Sequence, residues 1–233
     1  MRESAPRTPL HRHQIAWLSQ AGWQRILSRE WDASARECLA HWAEHRLPLV
    51  VTRQLAVEGE AEHIALGLPA PGRWERRRIA LRVARADVLY FDEFPRADKL
   101  TRRLQGATRE KWQRLCAGLA ACGVSARVYG SHGWQLISGL DHVRHGSDID
   151  LWLAVSSIEQ ADAAAALLQS NVPRRIRLDG ELVFEGGAAV AWREWLAWRE
   201  GRTQALLVKT IAGASLSRSF GACRSLENVE ASS

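Results

Sequence analysis

Residues 128–155, VYGSHGWQLISGLDHVRHGSDIDLWLAV, contain two short polar motifs set between apolar runs. The turn Gly130-Ser131 follows one strand-like segment, and Asp148-Ile149-Asp150 opens a second. Residues two apart on a strand point to the same face, so Asp148 and Asp150 are expected to project together while Ile149 faces the core. The order strand, turn, helix, strand predicts an α+β fold with a carboxylate pair on one face of a sheet.

These residue types suit the binding of a triphosphate through metal ions. Two carboxylates on one side of a strand can hold a pair of divalent cations, and Mg²⁺ is the expected ion because it prefers oxygen and phosphate ligands. Gly130 lets the backbone approach a phosphate, and Ser131 is expected to cap a helix whose first N–H groups face the anion. Ser147 is a candidate for a similar contact. The combination favours a nucleotidyltransferase.

The rest of the chain predicts two units and a tail. Before residue 95 we expect a helix over 33–46, a strand after Pro48, a loop around LGLPAPG and a strand over RRIALRV. The charged stretch 86–107 is expected to link the two halves. Helices and strands then alternate, with two strands joined at Asp179-Gly180 and a helix carrying three tryptophans. The predicted divisions are an N-terminal α/β-containing domain (1–95), a catalytic mixed-sheet domain with flanking helices (96–213) and a flexible tail (214–233).

Composition limits the class of protein. The net charge of +6 includes an arginine cluster around residues 73–85, which suits a phosphate-rich ligand or an acidic protein partner. No apolar run approaches the ~20 residues of a membrane span, and no secretory signal is recognisable, so we expect a cytoplasmic protein without membrane contact. The four cysteines form no zinc-binding spacing. No RNA- or DNA-binding motif is present, and we expect no nucleic-acid partner.

The pattern GS followed by DxD resembles the nucleotidyltransferase superfamily typified by DNA polymerase beta. Members of that superfamily usually add a third carboxylate from a later strand. Asp179 is the first candidate here and Glu181 the second. The alternative for Asp179 is purely structural, because Asp-Gly between two alternating apolar runs is the favoured hairpin turn.

Longer segments resemble a narrower family, the malonate decarboxylase holo-acyl carrier protein synthases, or phosphoribosyl-dephospho-CoA transferases. The matching segments run in order from about residue 11 to 213, namely HQIAWL, LPLVVTR, LGLPAPG, RRIALRV, YGSHGWQLISGL, GSDIDLWL, RLDGELVFEGG, VAWREW and LLVKT. The tail after residue 213 matches nothing in the family.

This resemblance implies a reaction, a donor and an acceptor. The donor is 2′-(5″-triphosphoribosyl)-3′-dephospho-CoA, and the acceptor is a serine of the acyl carrier subunit of malonate decarboxylase. Attack on the α-phosphorus would release pyrophosphate. Asp148 and Asp150 match the family's catalytic pair, Gly130 and Ser131 match the phosphate-binding turn, and the N-terminal domain could dock the carrier or cover the donor.

Further substrate contacts and two other functions stay open. Lys209, one of only three lysines, and the arginines Arg78 and Arg82 on a predicted strand are candidate substrate contacts. The enzymatic alternative is another nucleotidyltransferase, such as one that transfers AMP from ATP to a small molecule or protein. The non-enzymatic alternative is a binding module whose basic cluster docks an acidic partner.

Overall fold

The computed structural model describes residues 9–55, 62–171 and 177–220. Over these residues the chain forms two sheets, one in each half, with helices packed against each. The α+β fold predicted from the sequence is therefore confirmed. No helix in these ranges is long and apolar enough to cross a membrane.

The first sheet is antiparallel, with strand order β4-β3-β2-β1-β5. Its strands are β1 (Ile15–Leu18), β2 (Leu49–Val51), β3 (His63–Pro69), β4 (Arg78–Ala84) and β5 (Val88–Asp92). One sequence prediction was wrong here, because the segment around LGLPAPG is largely strand β3, which pairs with β4 over seven residues. The stretch 86–107, expected to link the two halves, contains β5 and a 3-10 helix, Ala97–Arg103.

Two helices cover one face of this sheet, α1 (Gln20–Leu27) and α2 (Ala33–Glu44). Ser19 and Asp32 cap them by accepting hydrogen bonds from backbone N–H groups of the first turn. The core between helices and sheet is apolar and includes the buried Trp42 and Trp74. The opposite face of the sheet carries small and basic residues and turns toward the second half of the chain.

The second sheet is mixed, with strand order β11-β10-β9-β8-β7-β6. Its strands are β6 (Ser125–Tyr129), β7 (Ile149–Ala154), β8 (Leu178–Val183), β9 (Ala189–Ala191), β10 (Leu206–Lys209) and β11 (Ala214–Ser217). Only β7 and β8 run parallel, joined by a crossover helix, and the other pairs are antiparallel. Strand β11 occupies residues 214–217, which the sequence had assigned to the flexible tail; residues 221–233 lie outside the described ranges.

Three helices cover one face of the second sheet, α3 (Gly106–Ala121), α5 (Ile158–Asn171) and α6 (Trp192–Arg199). As predicted, Ile149, Leu151 and Leu153 point into this core. Trp192 and Trp195 of the tryptophan helix are buried in it as well. Because side chains alternate along a strand, the residues between them on β7 lie on the opposite face, where the fourth helix, α4 (Gly130–Ser138), begins.

The two halves meet through a small aromatic cluster. Ile15 from the first sheet, Phe94 from the connection and Trp134 from α4 are all buried together. The rings of Phe94 and Trp134 pack edge to face with centroids 5.4 Å apart. This contact places the start of α4 opposite the open face of the first sheet.

Candidate active site

Three aligned residues on neighbouring strands form the centre of the site. Asp150 of β7 pairs with Tyr129 of β6 on one side and with Asp179 of β8 on the other. Neighbouring strands lie about 4.7–4.9 Å apart, so aligned side chains share one face at close range. The two carboxylates therefore converge on the face opposite the helix-covered core.

The predicted hairpin at Asp179-Gly180 is wrong. Both residues lie inside β8, which pairs with β7 in parallel register over six residues. Gly180 is needed for a different reason: an added Cβ would lie 2.5 Å from the carbonyl oxygen of Leu151. Asp179 thus stands on the strand next to Asp150, the arrangement that a third acidic ligand requires.

The Asp150 carboxylate sits in an unfavourable electrostatic environment. Burial and, to a smaller extent, the charges of Asp179, Asp148 and Glu181 together raise its pKa to about 6. An acid surrounded by other acids gains most from a cation that neutralises the group. The site is thus arranged to favour a bound positive charge.

Asp148 lies just before β7 and is more open than Asp150. Its side chain is 32% exposed, and Oδ2 lies 3.6 Å from Nε of Arg177. Arg177 is 69% exposed, so this ion pair is weak and easily displaced. Asp148 is therefore accessible to a ligand, although it is not among the residues that line the cleft beside Asp150.

The glycine–serine turn packs directly on Asp150. Helix α4 begins at Gly130, one residue earlier than expected, and Ser131 does not cap it. Gly130 has φ 61°, and a Cβ there would lie 2.0 Å from Oδ2 of Asp150. Only glycine permits this approach, which brings the first N–H groups of α4 beside the carboxylates.

Ser147 closes the turn that precedes the aspartates. Its Oγ accepts a hydrogen bond from the Arg144 N–H at 2.9 Å, and its own N–H donates to the Arg144 carbonyl at 3.0 Å. Burial lowers the pKa of the ring of His132 on α4, and the nearby Ser147 backbone partly offsets that shift. Ser147 therefore fixes the loop that presents Asp148.

Lys209 neutralises a second buried carboxylate. Its Nζ donates to Oε1 of Glu181 at 2.9 Å, and the Glu181 side chain is only 5% exposed. Arg12 and His13 approach the same carboxylate at 3.4 and 3.2 Å. Burial opposes ionisation of Glu181, but the hydrogen bonds from His13 and Lys209 prevail and lower its pKa to about 2.

A cleft of about 720 Å³ extends from Asp150 between the two halves. Gly130 and Ser131 line its inner end, and the open face of the first sheet forms its opposite wall. Arg78 lines this wall, whereas Arg82, four residues further along β4, is not among the lining residues.

The cleft contains further basic residues. The lining includes Arg12, His13, Arg53 and Arg76, which come from loops and strand ends of the N-terminal half. Arg76 belongs to the arginine cluster around residues 73–85 that suits a phosphate-rich ligand, and it also donates to the carbonyl of His142 at 2.7 Å. Arg12, His13 and Arg53 were not predicted as site residues, because only the packing of the two halves brings them to the carboxylates.

The chemistry of the carboxylates suits Mg²⁺. Within the described ranges no group of three or more His, Cys, Asp or Glu side chains is already arranged to hold a metal ion. Mg²⁺ commonly binds one or two carboxylates and takes its remaining ligands from substrate phosphates and water. Asp148, Asp150 and Asp179 fit that mode, in which the substrate completes the coordination.

Family models match both halves of the chain. Residues 11–94 match the phosphoribosyl-dephospho-CoA transferase MdcG N-terminal domain, and residues 97–219 match the C-terminal domain of the same family. The chain belongs to the phosphoribosyl-dephospho-CoA transferase family. The resemblance predicted from the motifs is thus confirmed, as is the prediction of a transferase enzyme. The expectation that the resemblance ends at residue 213 was wrong, because the match extends to residue 219.

Curated relatives with this name are similar over most of their length. A phosphoribosyl-dephospho-CoA transferase of Bradyrhizobium diazoefficiens is 37% identical over 209 residues, which cover 87% of this chain and 88% of the relative. The transferase of Xanthomonas euvesicatoria is 32% identical, and the match covers 85% of this chain and 90% of the relative. The transferase of Pseudomonas putida is 30% identical, and the match covers 72% of this chain and 78% of the relative. No solved structure matches this chain.

Proposed function

We propose that the protein transfers phosphoribosyl-dephospho-CoA from 2′-(5″-triphosphoribosyl)-3′-dephospho-CoA to a serine of the malonate decarboxylase acyl carrier protein. The serine oxygen attacks the α-phosphorus, and pyrophosphate leaves. The observation that carries this proposal is the pairing of Asp150 with Asp179 beside the Gly130 turn, at the inner end of a two-domain cleft. Family membership supplies the transferred group.

The triphosphate is proposed to lie at the inner end of the cleft. The N–H groups at the start of α4 face this position, and Ser131 adds a hydroxyl. Asp148, Asp150 and Asp179 would hold Mg²⁺, which when bound neutralises the phosphates and stabilises the leaving pyrophosphate. Charge is then balanced, since the acids and the phosphates would otherwise repel one another.

The remainder of the donor is proposed to lie along the open face of the first sheet. Gly67 and Ala80 are register partners on β3 and β4, and both line the cleft. Their small side chains leave room for an extended group, and Arg78 and Arg53 provide positive charge beside it. The N-terminal domain, residues 1–95, would thus bind the dephospho-CoA moiety, and residues 96–213 would perform the transfer.

The carrier is expected to approach from the open side of the cleft. Carrier proteins are generally acidic, and the chain has a net charge of +6, so electrostatic attraction would accelerate the encounter. Cys38, Cys116 and Cys122 are all free thiols, which suits a reducing compartment. We accordingly place the reaction in the cytoplasm.

Intact-mass spectrometry of the apo carrier tests this function. The carrier is incubated with donor, Mg²⁺ and enzyme, and its serine is replaced by alanine in a parallel sample. The expected result is a mass gain of one phosphoribosyl-dephospho-CoA group on the serine-containing carrier alone. No gain with the wild-type enzyme would contradict the proposal, and a gain of AMP with ATP as the preferred donor would support adenylyl transfer instead.

A further inference from the structure

His13 occupies an unusual backbone position next to the site. Its φ is 63°, in the left-handed region that non-glycine residues rarely adopt. The segment before β1 carries this residue away from the first sheet and onto the second. Strained positions of this kind persist where surrounding contacts fix them, and they concentrate at functional sites.

Two contacts fix the His13 ring beside Asp150. The ring stacks on Tyr129 with centroids 4.0 Å apart, and Tyr129 is the register partner of Asp150. Nε2 lies 3.2 Å from Oε2 of Glu181. The imidazole therefore lines the cleft together with Gly130 and Asp150.

Glu181 fixes the orientation and the tautomer of the His13 ring. The carboxylate is buried and already accepts from Lys209 and Arg12, so it remains an acceptor for the Nε2 proton. A carboxylate on one ring nitrogen sets the tautomer in which the other nitrogen accepts a proton. Nδ1 has no hydrogen-bond partner within residues 9–55, 62–171 and 177–220.

From this arrangement we propose that His13 is the general base that deprotonates the carrier serine; this inference rests on the function proposed above. As the serine Oγ bonds to the α-phosphorus, its proton moves to Nδ1 of His13. The bond from the α-phosphorus to the bridging oxygen breaks, and its electron pair leaves with pyrophosphate. Glu181 stabilises the imidazolium that results.

Other ionisable groups around the ring have different roles. Asp150 and Asp179 face the metal and the phosphates, and Tyr129 lies stacked under the imidazole. Burial raises the pKa of Tyr129 far above its usual range, which leaves its hydroxyl protonated. Arg12 and Lys209 are cations bound to Glu181 and cannot accept a proton. Nδ1 of His13 is the proton acceptor that these surroundings leave available.

Replacing His13 and restoring an imidazole tests the proposal. For His13→Ala we expect kcat for carrier modification to fall by about 100-fold or more, the contribution usual for a general base. The KM for the donor should stay within about threefold, because the base acts on the acceptor. The rate of the His13→Ala enzyme should increase with the concentration of added free imidazole. The variant His13→Gln keeps an N–H donor for Glu181 but has no ring nitrogen to accept a proton, so it should be as slow as His13→Ala without imidazole.

His11 provides a matched control in the same segment. Its Nε2 bonds Oε1 of Glu93 at 2.7 Å, and it is not among the cleft-lining residues. His11→Ala should keep kcat within about threefold of wild type and show no imidazole rescue. His13→Ala with near wild-type kcat, or with a loss that imidazole does not restore, overturns the base assignment. An inactive wild-type enzyme would instead overturn the transferase function itself.

Discussion

Asp150 and Asp179 lie opposite each other on the parallel strands β7 and β8, aligned in register on the same face of the sheet. Their mutual repulsion, added to burial, raises the pKa of Asp150 to about 6. The repulsion between these two carboxylates therefore lowers the free energy of unfolding at neutral pH. That cost is expected where function requires a bound cation and a triphosphate.

Neutralising Asp150 should stabilise the metal-free protein and abolish its activity. Asp150→Asn keeps the shape of the side chain but removes the ionised form, so we expect the free energy of unfolding at pH 7.5 to rise by about 1–2 kcal/mol. Urea unfolding of both proteins without Mg²⁺ measures this difference. Asp98, an exposed residue of the 3-10 helix, offers Asp98→Asn as a control with unchanged stability. Equal or lower stability of Asp150→Asn would refute the repulsion.

Gly130→Ala should disable the site far more than a matched glycine change. Both Gly130 and Gly146 have positive φ, 61° and 78°, so alanine strains the backbone at each. Only at Gly130 would the new Cβ meet Asp150, 2.0 Å from Oδ2, whereas nothing lies within 4 Å at Gly146. We expect a loss of about 100-fold or more in kcat/KM for Gly130→Ala and less than about tenfold for Gly146→Ala. Similar losses in steady-state assays would show that backbone strain, not the contact with Asp150, matters.

Sequence patterns predicted the aspartate pair because it lies on one strand. Alternation of Ile149, Leu151 and Leu153 with polar residues fixes which face Asp150 occupies, and the structure places those apolar residues in the core. Alternation did not decide whether Asp179 is a third carboxylate of the site or a turn residue. The Asp-Gly sequence has a strong local turn preference, which the long-range parallel pairing with β7 overrides.

Most of the cleft could not be predicted from the sequence. The sequence predicts a loop at strand β3 because Gly67 and Pro69 of the strand, and Pro71 and Gly72 after it, are turn formers, yet its pairing with β4 provides the wall of the cleft. His13 and Glu181 are 168 residues apart along the chain, and although each lies in a segment that resembles the family, no local pattern indicates that they meet. Such contacts depend on how the two halves pack, which local patterns do not encode.

Arg78 and Arg82 should differ in their effect on donor binding. Both lie on the same face of β4, but only Arg78 lines the cleft. Loss of one charged contact to a substrate commonly costs about 1.4 kcal/mol, so Arg78→Ala should raise the donor KM about tenfold with little change in kcat. Arg82→Ala is the control and should leave the donor KM within about twofold. Equal KM values for both variants would place the donor elsewhere.

His142 should lower the stability of the protein in mild acid, whereas protonation of Asp150, whose pKa is raised, should act in the opposite direction. This ring is 4% exposed, stacks against Trp134 and bonds Oγ of Ser138 at 3.1 Å. Burial, with a smaller contribution from the charge of Arg76, lowers its pKa from 6.5 to about 4. The unfolded chain therefore binds a proton at higher pH than the native protein does. Neutral His142 therefore makes its full contribution to the free energy of unfolding above about pH 6.5. As the pH falls toward 4 this contribution is lost, and the loss amounts to at most about 3 kcal/mol.

Urea unfolding between pH 7 and 4.5 measures this dependence. His142→Gln cannot titrate, so on acidification from pH 7 to 4.5 it should lose less free energy of unfolding than the wild type does, while the contribution of Asp150 is the same in both proteins. Exposed His63 supplies the control, because His63→Gln should keep the wild-type slope. A wild-type slope in His142→Gln would assign the acid sensitivity to other groups.

The most direct measurement follows both products of one reaction. Apo carrier, donor and Mg²⁺ are mixed with enzyme, and pyrophosphate release and modified carrier are quantified in the same samples over time. Wild-type enzyme should release one pyrophosphate for each carrier modified, and Asp150→Asn and Asp179→Asn should each slow both products by about 100-fold or more. Release of triphosphate in place of pyrophosphate, or wild-type rates in both variants, would contradict α-phosphoryl transfer at the Asp150–Asp179 pair.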